Sequence, residues 1–206
     1  MAFKKYSALT ERSMRTVEKD LSQSCSIMAQ LIATHGPCLL ATREFRPFQT
    51  LATSIISQQL SSKAAGTIKQ RVLNLVPNFT PSAFLGVSAD VLRSAGLSSA
   101  KSRYILEMAN RINDGRLNFS KLVSRPDEYV IATLTELPGI GRWTAEMFLI
   151  FSLRRPNVLA VDDVGLQRAT RLLYGDNAEL KNVGQKWRPY CSVASWYLWR
   201  FLDSRK

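Results

Sequence analysis

The chain has 206 residues, enough to bury one substantial core or to form two small lobes around a shared site. Hydrophobic residues make up 46% and charged residues 21%, values that exclude a disordered chain. Lys and Arg total 28 against 16 Asp and Glu, a net charge of +12 with a pI near 10.0. Such an excess favours a polyanionic partner, because each phosphate neutralised releases condensed counterions.

Residues 1–34 read as one or two extra amphipathic helices with Ser/Thr/Glu-rich caps. The opening MAFKKYSALTERS lacks the apolar run of a secretion signal, and no stretch of 18 apolar residues occurs. Phe48, Leu51, Ala52, Ile55 and Ile56 follow a helical stripe, with Pro47 suited to the first turn. Ile68, Val72 and Leu75 form another stripe that breaks at Pro77. Short helices are predicted from Pro81 and Ser82 and after Ser88. Ile105, Met108, Ala109 and Ile112 mark a helix that ends around Asn113, Asp114 and Gly115. Further helices are predicted within about 126–135, from about 142 to 153, after Asp163, and from about 187 to 202. Strand-like alternation is short and no repeat occurs, so the expected fold class is all-α, with about eight to ten helices.

The cysteines, Cys25, Cys38 and Cys191, are odd in number and far apart, which matches neither a disulfide framework nor a zinc spacing. The sole histidine, His35, cannot build a His-based metal site or a Ser-His-Asp triad. A reduced, intracellular protein without a membrane segment is expected.

The segment TELPGIGRWTAEMFLIFSL carries the strongest chemical signal. A helix stops before Pro138, Gly139 and Gly141 permit a tight turn, and a second helix begins near Arg142. Both glycines can take positive φ and let backbone N–H groups approach an anion. Those groups sit at a helix N-terminus, where the dipole favours negative charge, and Thr144 can add a hydroxyl. The same turn also serves an ordinary αα-hairpin. A grip of this kind holds the nucleic-acid backbone and reads no bases. Some 20 residues on, an apolar run ends in Asp162 and Asp163 ahead of the next helix, where one of them can act as an N-cap.

The stretches PFQTLATSIISQQLSSKAA (47–65), LPGIGRWTAEMF (137–148), VDDVGLQRA (161–169) and SVASWYLW (192–199) carry a resemblance to a known family. The chain resembles the helix-hairpin-helix/Gly-Pro-Asp superfamily of DNA glycosylases, and within it the AlkA-like 3-methyladenine DNA glycosylases, over about residues 28–203. The resemblance implies a helix-hairpin-helix fold in which two helical lobes flank a DNA-binding, active-site cleft, here as one all-α domain over 1–206. It implies a monofunctional glycosylase that flips out an alkylated purine and removes it hydrolytically in base excision repair. Asp163 takes the catalytic role and Asp162 a structural one. Trp143, Met147 and Trp199 fall in the base pocket, where an indole face attracts a cationic purine. Trp143 stands where strand-cleaving members carry the lysine that forms a Schiff base, so no lyase activity is expected.

The resemblance further places DNA contacts at Gly139, Gly141 and Thr144 and in the turn Gln58, Gln59, Leu60 and Ser61. Gln59 aligns with the wedge inserted where the base departs, and Leu60 is the adjacent alternative. The backbone carbonyls of Thr135, Leu137 and Gly139 align with a Na⁺ or K⁺ site. No catalytic cofactor and no iron–sulfur cluster are expected, since only Cys191 lies in the C-terminal region. The expected partner is double-stranded DNA with damaged bases or abasic sites, bound by a monomer, in the nucleus of a eukaryote or otherwise in the cytoplasm. The chain length leaves no room for the N-terminal sheet domain of AlkA. A non-catalytic or weakly catalytic binder of abasic or distorted DNA is the alternative; a strand-cleaving lyase and a helical module for protein partners are further ones.

Overall fold

A computed structural model describes residues 8–205; the expected domain over 1–206 and helical stretch over 1–34 reach into residues 1–7 and 206, which lie outside the described residues. The regular elements among the described residues are thirteen α-helices and one 3-10 helix. None of these helices is long and apolar enough to cross a membrane. The chain divides into two compact units, one combining Met1–Phe45 with Leu149–Lys206 and the other formed by Arg46–Phe148.

The first unit begins with α1 (Glu11–Ser24) and α2 (Ser26–His35). Thr10 and Ser13 form a reciprocal capping box at the start of α1. Cys25, extended at φ −154°, separates the two helices. The later part of the unit holds α11 (Val164–Tyr174), α12 (Leu180–Val183), the 3-10 turn Gly184–Trp187 and α13 (Cys191–Asp203). Helix α13 packs on α2 and α11, and all of its residues from Cys191 to Leu198 are buried. Half-buried polar contacts support this packing: Glu18 Oε1 accepts the Cys38 N–H at 2.7 Å and the Tyr197 hydroxyl at 2.8 Å.

The second unit contains α3 (Pro47–Ser57), α4 (Ser62–Leu75), α5 (Pro81–Leu85), α6 (Ala89–Ser94), α7 (Ser99–Asn113), α8 (Phe119–Leu122), α9 (Asp127–Thr135) and the start of α10 (Arg142–Phe151). Thr80, Ser88 and Ser98 each cap the helix that follows them, so three successive turns are written in local sequence. Helix α7 packs on α3, α5 and α6. Phe48, Phe79 and Phe84 meet in one aromatic cluster, with Phe84 5.4 Å from Phe48 and 5.0 Å from Phe79 between centroids.

The predicted helices are present among the described residues, with three additions and two shifted ends. The short α8, α12 and 3-10 elements span four residues each, too few to show a period, and the N-terminal region holds two helices divided at Cys25. Helix α10 ends at Phe151 rather than near 153. Helix α13 starts at Cys191 rather than near 187, because Trp187 closes the 3-10 turn and Pro189, after a cis peptide bond, cannot continue it. Leu75 ends its stripe 40% exposed, past the point where α4 faces the core.

The α9–α10 connection depends on two buried anchors and one glycine. Leu137 and Ile140 are buried on either side of the turn, and the Ile140 N–H bonds to the Leu137 carbonyl at 3.1 Å. Between them Gly139 sits at φ +82°, and a β-carbon there would run into the Tyr104 ring of α7. Gly139→Ala is expected to destabilise the fold by more than about 1 kcal/mol, from a left-handed backbone and a steric clash together. Phe84→Ala, which empties the centre of the aromatic cluster, is expected to cost about 3–5 kcal/mol. Urea unfolding monitored by circular dichroism measures both.

Candidate active site

Asp163 is the N-cap of α11, and its Oδ1 accepts the Leu166 N–H at 2.7 Å. The same oxygen accepts the indole N–H of Trp199, from α13, at 3.3 Å. The residue is 7% exposed. It is therefore both the helix cap that its position suggested and a nearly buried carboxylate aimed by two N–H donors. The α11 N-terminus adds its own positive end beside the negative charge. Asp162 is exposed, and the capping role falls to Asp163 alone among the pair.

Gly165 explains how the tryptophan comes so close. A β-carbon at this position would meet Asp163 Oδ1 at 3.1 Å and both Trp199 and Leu202 at 3.6 Å. The Trp199 ring rests on Phe151 with centroids 5.5 Å apart, and the Arg43 guanidinium lies over the other partner, 4.8 Å from the Phe151 centroid. A cavity of about 310 Å³ opens beside Trp199 and is lined also by Arg168, Leu202, Asp203 and Arg205. These residues all belong to the first unit.

The hairpin, wedge turn and Trp143 belong to the second unit. Trp143 is 44% exposed on the first turn of α10, so it is not the core residue that a tryptophan at helical spacing usually is. Met147, one turn further on the same face, is buried. Of the two hairpin glycines only Gly139 takes positive φ; Gly141 does not, and a β-carbon on it would meet nothing within 4 Å. The expectation of positive φ at both is thus corrected: Gly141 leaves open space outside the turn. Thr144 is buried, 4% exposed, which leaves its hydroxyl little access to a phosphate. Arg142 is held by Glu128 through two hydrogen bonds of 2.7 and 3.2 Å and by Glu146 at 3.2 Å, fixing the start of α10.

In the turn between α3 and α4, each residue has a different setting. Gln58 donates Nε2 to the Gly139 carbonyl at 2.8 Å, which brings this turn onto the hairpin. Gln59 is exposed and sits in the left-handed region at φ +57°, a conformation that costs a non-glycine residue about 1–2 kcal/mol. Leu60 is exposed beside it, and Ser61 caps α4 by accepting the Ala64 N–H. Of the carbonyls aligned with a cation site, Gly139 O already accepts from Gln58 and Leu137 O from Ile140, each retaining a second lone pair. The Thr135 hydroxyl turns back to the Ile131 carbonyl.

No group of three His, Cys, Asp or Glu side chains that could hold a metal occurs among the described residues. Burial pushes the Cys38 thiol up to about 12 and Cys191 to about 11, which removes both from thiolate chemistry near neutral pH. Reading the sequence missed Phe151, Gly165, Lys101 and Tyr104. Gly165 had a local signal, a glycine in the first turn after an acidic cap; Phe151 and Tyr104 are joined to these residues by packing, and Lys101 by hydrogen bonds to the Ile56 and Gln58 carbonyls.

A family model for HhH-GPD superfamily base excision DNA repair proteins matches residues 52–188. The DNA-3-methyladenine glycosylase 1 of Schizosaccharomyces pombe is 29% identical to this chain, over 87% of the chain and 82% of the relative. The crystal structure of a DNA-3-methyladenine glycosidase from Bacillus halodurans is 41% identical and superposes with a TM-score of 0.76, covering 89% of this chain and 88% of that one. A structure of the S. pombe 3-methyladenine DNA glycosylase in complex with abasic DNA is 29% identical, with a TM-score of 0.77 over 90% of this chain and 95% of that one. The hairpin turn with its one left-handed glycine, the capping aspartate downstream and the matched span of 52–188 agree, and the chain belongs to the HhH-GPD superfamily of base excision DNA repair proteins.

Proposed function

We propose that this chain is a monofunctional DNA glycosylase that extrudes alkylated purines of the 3-methyladenine type from duplex DNA and hydrolyses the N-glycosylic bond, leaving an abasic site. The observation that carries this reading is Asp163, a nearly buried carboxylate whose Oδ1 is fixed by the Leu166 and Trp199 N–H groups. The similarity to DNA-3-methyladenine glycosylases, one of them seen with abasic DNA, supports both the reaction and a DNA partner.

Alkylation makes the purine cationic, so it leaves with the bonding electrons of the C1′–N bond and becomes neutral. The sugar is then oxocarbenium-like, and a carboxylate stabilises its positive charge. Such stabilisation is stronger away from water, because the effective dielectric falls and the carboxylate is already oriented. Water adds at C1′, aligned by the carboxylate, and loses its proton to complete the hydrolysis. In this proposal the exposed indole of Trp143 meets the cationic base, Met147 is an apolar wall, and Trp199 acts chiefly by holding Asp163.

The α9–α10 hairpin grips phosphate through the N-terminus of α10, with Gly139 shaping the turn and Gly141 leaving room for close approach. Gln59 is assigned as the wedge, with Leu60 filling space beside it. A Na⁺ or K⁺ would be held by the remaining lone pairs of the Thr135, Leu137 and Gly139 carbonyls, neutralising phosphate charge without taking part in hydrolysis. The protein acts as a monomer where cellular DNA lies, in the nucleus of a eukaryote or otherwise in the cytoplasm.

Release of methylated purine from a duplex oligonucleotide tests the mechanism. Asn is as good an N-cap as Asp, so Asp163→Asn is expected to keep stability and abasic-DNA affinity while base release falls at least about a hundredfold. Equal release by both proteins would overturn the role of Asp163; no release by the wild type, with abasic DNA still bound, would favour a non-catalytic binder. Because position 143 holds no amine, borohydride is expected to trap no protein–DNA adduct, and a covalent band on a denaturing gel would overturn the monofunctional assignment.

A further inference from the structure

Lys101 takes no part in the chemistry above, yet its ammonium is committed. From α7 its Nζ donates to the Ile56 carbonyl at 3.0 Å and the Gln58 carbonyl at 2.6 Å, at the C-terminal end of α3. Helix α3 has no basic residue in its own last turn, so Lys101 supplies the positive charge that a helix C-terminus favours. Half-burial lowers the lysine's pKa from its ordinary value, which marks a group drawn out of water for these two bonds.

The contacts continue in both directions. Gln58, whose carbonyl Lys101 holds, passes its side-chain amide to the Gly139 carbonyl in the hairpin. Tyr104, three residues along the same face of α7, lies against Gly139 itself. One helical face thus supports two turns that are 81 residues apart in sequence. Directly after the held carbonyl of Gln58 the chain enters the left-handed conformation at Gln59 and presents Gln59 and Leu60 to solvent. A strained residue in an exposed turn keeps its conformation only where its neighbours over-determine it.

We propose that Lys101 is a positioning residue that locks the wedge turn to the phosphate-gripping hairpin, so that seating the hairpin on the backbone presents Gln59 in its inserting conformation. The proposal rests on the glycosylase reading of those two turns. Ordering of the wedge then occurs on folding rather than on binding, which strengthens the encounter with duplex DNA. Lys101 accordingly matters where a base must leave a stacked duplex and its place be filled. It does not matter where the damaged base is already unstacked in a single strand.

The test uses Lys101→Met, which keeps the apolar stem and loses the donors, and Lys101→Arg, which keeps the charge. Base release is compared on duplex and single-stranded methylated oligonucleotides of one sequence. Affinity is measured for abasic duplex and abasic single strand, with 2-aminopurine opposite the abasic site to report wedge insertion. Lys101→Met is expected to lose about tenfold or more on both duplex measurements, the loss typical of hydrogen bonds to a charged group. Its single-strand release should remain within about twofold, the 2-aminopurine response should disappear, and Lys101→Arg should restore most of the duplex activity.

Equal losses on duplex and single strand, or no loss on either, would overturn the proposal. Gln58→Ala, which cuts the link to the hairpin, should reproduce the loss of duplex affinity and of the 2-aminopurine response, and retention of both would overturn it even if Lys101→Met failed to fold. If the wild type released no base at all, the glycosylase reading would fail by itself, while the affinity and fluorescence measurements would still decide the role of Lys101.

Discussion

One carboxylate oxygen receiving two N–H groups ties the head of α11 to α13 and carries the proposed chemistry. Asp163 Oδ1 closes the first turn of α11 through Leu166 and fastens α13 through Trp199. Burying a carboxylate without partners is costly, and here the cost is offset by the group that begins a helix and by an indole that must itself find an acceptor. The same bonds that satisfy the carboxylate restrict its rotation. In the proposed reaction this acid, which is to face a developing positive charge, is thereby aimed before any substrate arrives, which is the condition for electrostatic stabilisation without reorganisation.

The support behind that bond is largely apolar. Gly165 lets Trp199 approach, Phe151 lies beneath the indole, and Arg43 covers Phe151. Helix α13 is buried along its first eight residues, so the tryptophan sits at the end of a rigid element rather than on a loop. Core packing thus adds to the hydrogen bonds in setting the position of the carboxylate.

The second unit solves a different problem, the presentation of two turns with unusual backbone. Gly139 has positive φ because it has no β-carbon to strike Tyr104. Gln59 has positive φ without that freedom, and the nearby backbone is held by Lys101 and Gln58. The +12 net charge gives attraction to DNA that is indifferent to sequence, while in the proposed function these turns give it a register.

Length, periodicity and turn chemistry made much of this legible. The helices starting at Pro47 and Pro81, the caps at Ser88 and Asp163, and the glycine turn before Arg142 are local events, set by residues within one turn of each other. The four-residue helices were not legible, because four residues hold barely one period. Nor were the roles of Gly139 and Gly141, identical in type and two residues apart: in the folded chain only the first takes positive φ and has the Tyr104 ring of α7 against it. The sequence by itself determined an all-helical chain, a glycine turn between α9 and α10 and an acid at the head of α11. Tertiary structure alone decided that this acid meets Trp199, that Trp143 is exposed while Thr144 is buried, and that Lys101 holds the turn between α3 and α4. Those outcomes depend on helices distant in sequence coming into contact, and periodicity records which face of a helix is apolar but not what that face will meet.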